Sequence, residues 1–276
     1  MSIKIGLAIQ INENDCLEEK LEEAVRAGFD TVQLALWDMG RITKEEALKT
    51  KELLKKYHLT PSEIWCGWHQ PAVWDFKSGP STLGIVPTEY RATRIANLIA
   101  GAEYAKILGV NGIVTHIGFL PSNPCDRDYV GVVEALKYLL TKLDENKMYF
   151  SVETGQEPPV SVLRLIHDVG MDNFGVNFDP ANLMMYGNAN AMDALVMLHE
   201  KVFSVHAKDG EYPVNGWELG EEKPLGKGSV NFKALVQKLR EYGFDGVISI
   251  ENERDNTKEA RFDEIVAAKA FLESLL

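Results

Sequence analysis

Cysteine is scarce in this chain of 276 residues: Cys16, Cys66 and Cys125 are scattered and odd in number. That set excludes a disulfide framework and a thiolate zinc cluster, and it fits a reducing cytoplasm. No apolar run reaches the length of about 18 residues that a membrane-crossing helix needs. The opening MSIKIGLAIQ has no basic stretch leading to an apolar run and a small-residue cleavage site, so no secretory leader is expected. Positive charge is also in deficit, with 29 Lys and Arg against 41 Asp and Glu and a formal net charge of −12. The basic residues are dispersed and form no stripe, which speaks against nucleic acid and anionic membranes as partners. No Gly-rich dinucleotide fingerprint follows the first apolar stretch. No low-complexity tract or internal linker divides the chain, so residues 1–276 are expected to form a single domain.

What is present is a period. Short β-branched, apolar stretches recur at 3–11, 31–36, 62–68, 112–118, 148–155, 174–179, 202–209 and 246–253. Amphipathic stretches such as CLEEKLEEAVRAG and TKEEALKTKELLKKYH lie between them, with apolar residues at helical spacing. AGFD, LGVN and YGFDG read as helix-to-strand turns with glycine at the helix end. Alternating strands and helices imply parallel pairing through right-handed crossovers. Eight such units at this length predict an α/β fold, a (β/α)8 TIM barrel.

Strand phase locates a candidate site. Neighbouring side chains on a strand face opposite ways. In the fifth to eighth stretches one face carries Tyr149, Ser151 and Glu153; then Asn177 and Asp179; then Val202, Ser204, His206 and Lys208; then Val247, Ser249 and Glu251. The opposite face carries Phe150 and Val152, Val176 and Phe178, Phe203, Val205 and Ala207, and Ile248 and Ile250. Glu153, Asp179, His206 and Glu251 therefore point inward at four successive C-terminal strand ends, the active-site mouth of a barrel. The small polar residues one step below each can orient them. Taken singly, a strand-end carboxylate is more often a helix N-cap or a loop ion pair; four in phase point to a shared task. Three converging carboxylates repel unless a cation neutralises them. One imidazole with three carboxylates suits Mn²⁺, Mg²⁺, Co²⁺ or Fe²⁺, and Zn²⁺ also accepts such a set.

The stretches YFSVETG, VNFDPANL, VHAKDG followed by PLGKGSVNF, and VISIENE resemble the sugar phosphate isomerase/epimerase superfamily, the xylose isomerase-like TIM barrel group. The resemblance spans nearly the whole chain and is strongest from 148 to 253. It implies one divalent metal, Mn²⁺ first, on Glu153, Asp179, His206 and Glu251. It further implies that Glu153 and Glu251 act as acid and base on a ketose, sugar derivative or keto-polyol through a metal-stabilised enediolate. The same site could serve a lyase or dehydratase acting on a keto-inositol or 3-keto-sugar, and a non-catalytic binding barrel is the rival class. Homo-oligomers are common in the family. Two positions depart from it: Asn182 stands where many of its epimerases place a histidine, and Lys208, not an arginine, follows the strand-seven histidine. The missing histidine also argues against the DNA-cutting relatives with three zinc ions.

Other residues complete the expected site. Lys208 could bind a substrate oxygen or carboxylate, serve as a base if burial depresses its pKa, or form a salt bridge with Asp209 or with one of the metal-site carboxylates. His116 ends the fourth stretch facing inward. Trp37 and the segment IWCGWHQPAVWDF, with Trp68 and His69, could wall a sugar pocket; the bland alternative is a hydrophobic minicore. The segment 209–231 reads as a lid or substrate loop and 70–90 as a second candidate, because loops this long are usually functional or disordered. Asp209 is expected to orient Lys208 or to cap. The glycines of PLGKGSVNF are a weak phosphate signal without Walker spacing. His58, His167 and His199 fall on helices or their ends and read as structural or surface residues.

Overall fold

The structure, a computed structural model, describes residues 3–69 and 71–276. Among the described residues ten strands form, β1 Lys4–Ile11, β2 Thr31–Leu36, β3 Thr60–Cys66, β4 Gly112–Thr115, β5 Tyr149–Glu153, β6 Phe174–Phe178, β7 Val202–Ala207, β8 Asp209–Gly210, β9 Glu222–Lys223 and β10 Val247–Ile250. Eight of them close into a parallel barrel in the order β1-β10-β7-β6-β5-β4-β3-β2, while β8 and β9 pair antiparallel as a separate ribbon. The helices are α1 Leu17–Arg26, α2 Lys44–Lys56, α3 Gly79–Thr82, α4 Thr88–Leu108, α5 Arg127–Asp144, α6 Pro159–Val169, α7 Pro180–Met185, α8 Ala191–Leu198, α9 Phe232–Glu241 and α10 Lys258–Glu273. Because β1 pairs with β10, the first and last strands close the barrel together. This is the TIM barrel that the period predicts. No helix among the described residues is long and apolar enough to cross a membrane.

Local chemistry sets the boundaries. Thr43 opens α2 by accepting a hydrogen bond from the Glu46 amide at 3.2 Å, and Asn231 opens α9 by accepting from Ala234 at 3.1 Å. Gly109 and Gly170 end α4 and α6 in the left-handed conformation. Outward residues of the strands, among them Leu7, Ile9, Val32, Leu34, Phe150, Val152, Val205 and Ile248, join one core against the helices. Burying each such side chain contributes about 1.5–3 kcal/mol.

Several predicted strands run shorter or shifted. The third covers 60–66 and not 62–68, and the fourth stops at Thr115, before His116. The seventh ends at Ala207 and the eighth at Ile250, so Lys208 and Glu251 stand just past the ladder. The polar ends leave the barrel pairing to enter the loops, yet keep their inward direction. In the four strands whose phase placed the candidate site, it fails at one point, the start of β7. The β6–β7 register shifts between Val176 and Asn177, opposite Val202 and Ser204. This bulge turns Val202 onto the helix-side core and Phe203 inward, edge-on to Tyr149 at 5.2 Å and against Gly175.

Two loops above the barrel cross at a pair of glycines. Gly84, with φ +66°, and Gly118, with φ +91°, sit where each loop's backbone leaves no room for a Cβ on the other. The Ile85 and Val86 amides donate to the Ile117 carbonyl there at 2.9 and 3.1 Å.

Candidate metal centre and pocket

Glu153, Asp179, His206 and Glu251 converge. One ligand atom of each lies within 4.8 Å of the other three. His206 Nδ1 is 3.1 Å from Glu153 Oε1, 3.3 Å from Glu251 Oε2 and 3.9 Å from Asp179 Oδ2. Asp179 fulfils two readings of a strand-end carboxylate. Its Oδ1 caps α7 by accepting from the Asn182 amide at 2.8 Å. Its Oδ2 is buried with no hydrogen-bond partner and faces the cluster.

The surroundings fit a cation. Gln33 Oε1 accepts from His206 Nε2 at 2.7 Å, which puts the ring proton on Nε2 and leaves the Nδ1 lone pair toward the carboxylates. Gln33 is itself oriented by donating to Glu63 Oε2 at 3.3 Å. The hard oxygen and imidazole donors suit a divalent ion such as Mn²⁺ or Mg²⁺. In the metal-free protein a proton does the ion's work. Burial opposes charge on His206, but the Glu251 and Glu153 carboxylates outweigh it and hold the imidazole pKa well above its usual value. Burial raises the Asp179 carboxyl well above its usual range. Metal binding should therefore expel protons. Titrating the metal-free protein with Mn²⁺ in weak buffer at about pH 7 is expected to release about one to two protons per chain. A pH-stat trace showing none would remove His206 and Asp179 from the ligand set.

Gln33 and Glu63 carry no strand-end signal and escaped the sequence reading. Both lie deep in the barrel, 1% and 2% exposed. Strand phase on the second and third stretches would have found them, since Gln33 shares a face with Ala35 and Glu63 with Trp65. Burial pushes the Glu63 carboxyl above its ordinary range, more than its hydrogen bonds lower it. A carboxyl raised on folding stabilises below its unfolded pKa, and that stability is lost as pH rises through the folded value. Metal-free Glu63→Gln is thus expected to melt about 3–5 °C above the parent at about pH 8 and level with it near about pH 4. Scanning calorimetry at the two pH values checks the sign.

The site opens into a pocket lined by Trp37, Trp65, Trp74, His116, Glu153, Gln156, Asn182, Tyr186, Lys208, Glu251 and Glu253, with Gln10, Ala35, Met185 and Leu219. Of the residues expected to contact substrate, Trp37, His116, Asn182 and Lys208 line it. Trp68 and His69 do not. Trp68 packs behind Trp65 at 6.0 Å, and His69 is exposed on a shallow groove outside. Trp65 and Trp74 take their place, and Trp65 Nε1 donates to Glu153 Oε2. His116 Nε2 lies 3.5 Å from Glu153 Oε1, and Asn182 Nδ2 donates to the same oxygen at 3.1 Å.

Lys208 is buried and pairs with Glu251 Oε2 at 3.2 Å and with Glu253. Burial disfavours its charge, but Glu251, Glu253 and Asp179 outweigh burial and raise its pKa well above the usual value. Lys208 is therefore an ammonium and not a base. Nor does it pair with Asp209. The Asp209 carboxylate accepts from the amides of Gly210, Gly226 and Gly228, each at 2.9 Å, and of Val230 at 3.0 Å. The glycines that read as a phosphate signal are thus occupied by an internal carboxylate. The segment 211–221 leans on α7 through the Gly220 amide, which donates to Met185 O at 2.8 Å, and brings Leu219 to the pocket.

Comparison with known proteins places this geometry. The family described as xylose isomerase-like TIM barrel matches residues 21–275. An uncharacterized protein of Methanocaldococcus jannaschii is 37% identical over 274 residues, covering 94% of this chain and 87% of its own. Among solved structures, a xylose isomerase domain protein from Planctomyces limnophilus is 29% identical with a TM-score of 0.92, over 100% of this chain and 98% of that one. D-allulose 3-epimerase from Methylomonas sp., in complex with D-allulose, is 16% identical with a TM-score of 0.74, over 100% and 98% of the two chains. The probable 3-DHS dehydratase of Bacillus anthracis is 20% identical with a TM-score of 0.70, over 98% and 99%. The last two show the fold alone.

Proposed function

This chain belongs to the xylose isomerase-like TIM barrel family, and from that premise we propose that it is a divalent-metal-dependent isomerase or epimerase of a ketose or keto-polyol. The observation that carries the reading is the pair Glu153 and Glu251. Both carboxylates reach His206 Nδ1, at 3.1 and 3.3 Å, on the floor of an aromatic-walled pocket. Glu153, Asp179, His206 and Glu251 would hold the ion. When bound, the ion supplies positive charge that polarises a carbonyl and acidifies the neighbouring C–H.

The remaining work falls to the chain itself. One of the two glutamates takes the α-proton of the substrate, leaving an enediolate, and the other or the same one returns it. Return to the opposite face of one carbon gives epimerisation; return to the neighbouring carbon, with the hydroxyl proton passing to the former carbonyl oxygen, gives aldose–ketose isomerisation. Burial raises the Glu153 carboxyl, but His116 and His206 outweigh burial and keep it below its usual value. Burial likewise raises Glu251, and Lys208 and His206 outweigh it. Both are therefore anions able to accept a proton. Trp65, Asn182 and His116 fix the Glu153 carboxylate in place. Trp37, Trp65 and Trp74 line the pocket as an aromatic wall.

Elemental analysis of the purified protein beside Glu251→Gln and His206→Asn tests the site. About one Mn, Mg, Co, Fe or Zn per chain is expected, lost in both variants while circular dichroism is unchanged. Deuterium uptake from solvent at the α-carbon of added ketoses then tests the chemistry. A chain that takes up no metal even after loading with Mn²⁺ would sink the reading.

A further inference from the structure

The pocket's charges go further, to the class of substrate. We propose that the substrate is an uncharged polyhydroxylated ketone, with neither phosphate nor carboxylate, and that Glu253 enforces this by occupying Lys208. The inference rests on the reading above of the pocket as a ketose site.

A buried phosphate or carboxylate needs a cation or a set of free amides to replace its water. Among the described residues, Lys208 is the one Lys or Arg lining the pocket. It is 3% exposed and held between Glu251, at 3.2 Å, and Glu253. Glu253 is itself fixed in that position. It accepts from Gln10 Nε2 at 2.5 Å, and its amide donates to Glu222 Oε1 at 3.0 Å. The ammonium is thus covered on the pocket side by carboxylates and not offered to a ligand.

The other anion-binding feature is also taken. The amides of Gly226, Gly228 and Val230 form the kind of concavity that binds phosphate, and all three donate to Asp209. The charge balance agrees. Glu153, Asp179, Glu251 and Glu253 stand against one ammonium and, when loaded, one divalent ion, which leaves the site with a negative charge. A second anion would meet repulsion.

The rest of the lining is the chemistry of a neutral polyol. Asn182, Gln156 and Tyr186 offer uncharged donors and acceptors. The Gln156 amide and the Tyr186 hydroxyl are buried beside each other and have no hydrogen-bond partner beyond that mutual contact among the described residues. Turning the Gln156 side chain toward the pocket would satisfy it on a substrate hydroxyl. Trp37, Trp65 and Trp74 add aromatic surface on which the C–H groups of a sugar can pack.

The test uses the full chain loaded with Mn²⁺, and its Glu253→Gln variant. The probes are free ketohexoses and ketopentoses, their terminal phosphates, and 3-dehydroshikimate as a carboxylated cyclic ketone. Binding is read from the fluorescence of the pocket tryptophans, and reaction from deuterium uptake. Free ketoses are expected to bind at least about tenfold more tightly than their phosphates in the parent. Glu253→Gln should narrow that ratio at least about threefold by releasing Lys208. Phosphates or 3-dehydroshikimate binding as well as free ketoses in the parent would overturn the substrate class. An unchanged ratio in Glu253→Gln would overturn the role of Glu253. Preferential binding of free ketoses without deuterium uptake would leave this inference standing and remove the catalytic reading. Binding of none of the probes would remove both.

Discussion

Glu153→Gln is expected to lower deuterium exchange into substrate by about 10²–10⁴-fold, the span lost when a positioned acid or base is removed. The substitution is nearly isosteric, so volume is not the cause. Every contact of this side chain asks for an acceptor. Oε1 accepts from Asn182 Nδ2 at 3.1 Å and faces His206 Nδ1 at 3.1 Å, while Oε2 accepts from Trp65 Nε1. An amide NH₂ at either position sets donor against donor inside a site 1% exposed, a loss of about 1–3 kcal/mol. The charge that would hold a cation disappears as well. Assay at saturating Mn²⁺ with measured metal content separates the two effects. A variant that regains full metal but not exchange identifies Glu153 as a proton carrier. A variant that keeps more than about a tenth of the parental rate would exclude it from that role.

Asp209→Ala is expected to do the largest damage to the fold around the mouth. One buried carboxylate holds four amides from two segments of the chain: Gly210, and Gly226, Gly228 and Val230. Hydrogen bonds to a charged group contribute about 1.5–3 kcal/mol each, and the stranded amides add a penalty. Solvent can rescue some of them in a loop, so a net loss of at least about 3 kcal/mol is expected, near 10 °C in melting temperature. Cleavage by protease should concentrate in 211–229, and KM should rise because Leu219 on that segment lines the pocket. Asp209→Asn keeps one acceptor oxygen and should fall between. A melting point and protease map like the parent's would mean that the loop is held by something else.

The barrel was legible because eight strands alternate with helices along the chain, and the four converging candidate ligands because a strand's period of two survives from sequence to structure. What that period does not govern was not legible. The bulge that turns Phe203 inward adds a residue and flips the phase, and nothing in VFSVHAKDG marks it. His69 and Trp68 lie beyond the third strand, where chain direction depends on packing; the tryptophans that reach the pocket are Trp65, from the strand itself, and Trp74. The cage around Asp209 joins residues about twenty apart, a pairing that only the folded loop creates. Gln33 and Glu63 obey the strand period and could have been read from it, had attention extended below the strand ends.

The crossing of Gly84 and Gly118 bears on how such a mouth can diverge. The loop after β3 carries Trp74 of the tryptophan wall, and the loop after β4 starts with His116. Their backbones touch where neither tolerates a side chain. The two therefore form a single heritable module. Drift in one is bounded by the other, and length changes are confined to the far side of the crossing. Transplanting either loop alone from a relative should give an insoluble chimera, whereas moving 67–87 together with 116–126 exchanges Trp74 and His116 as one unit.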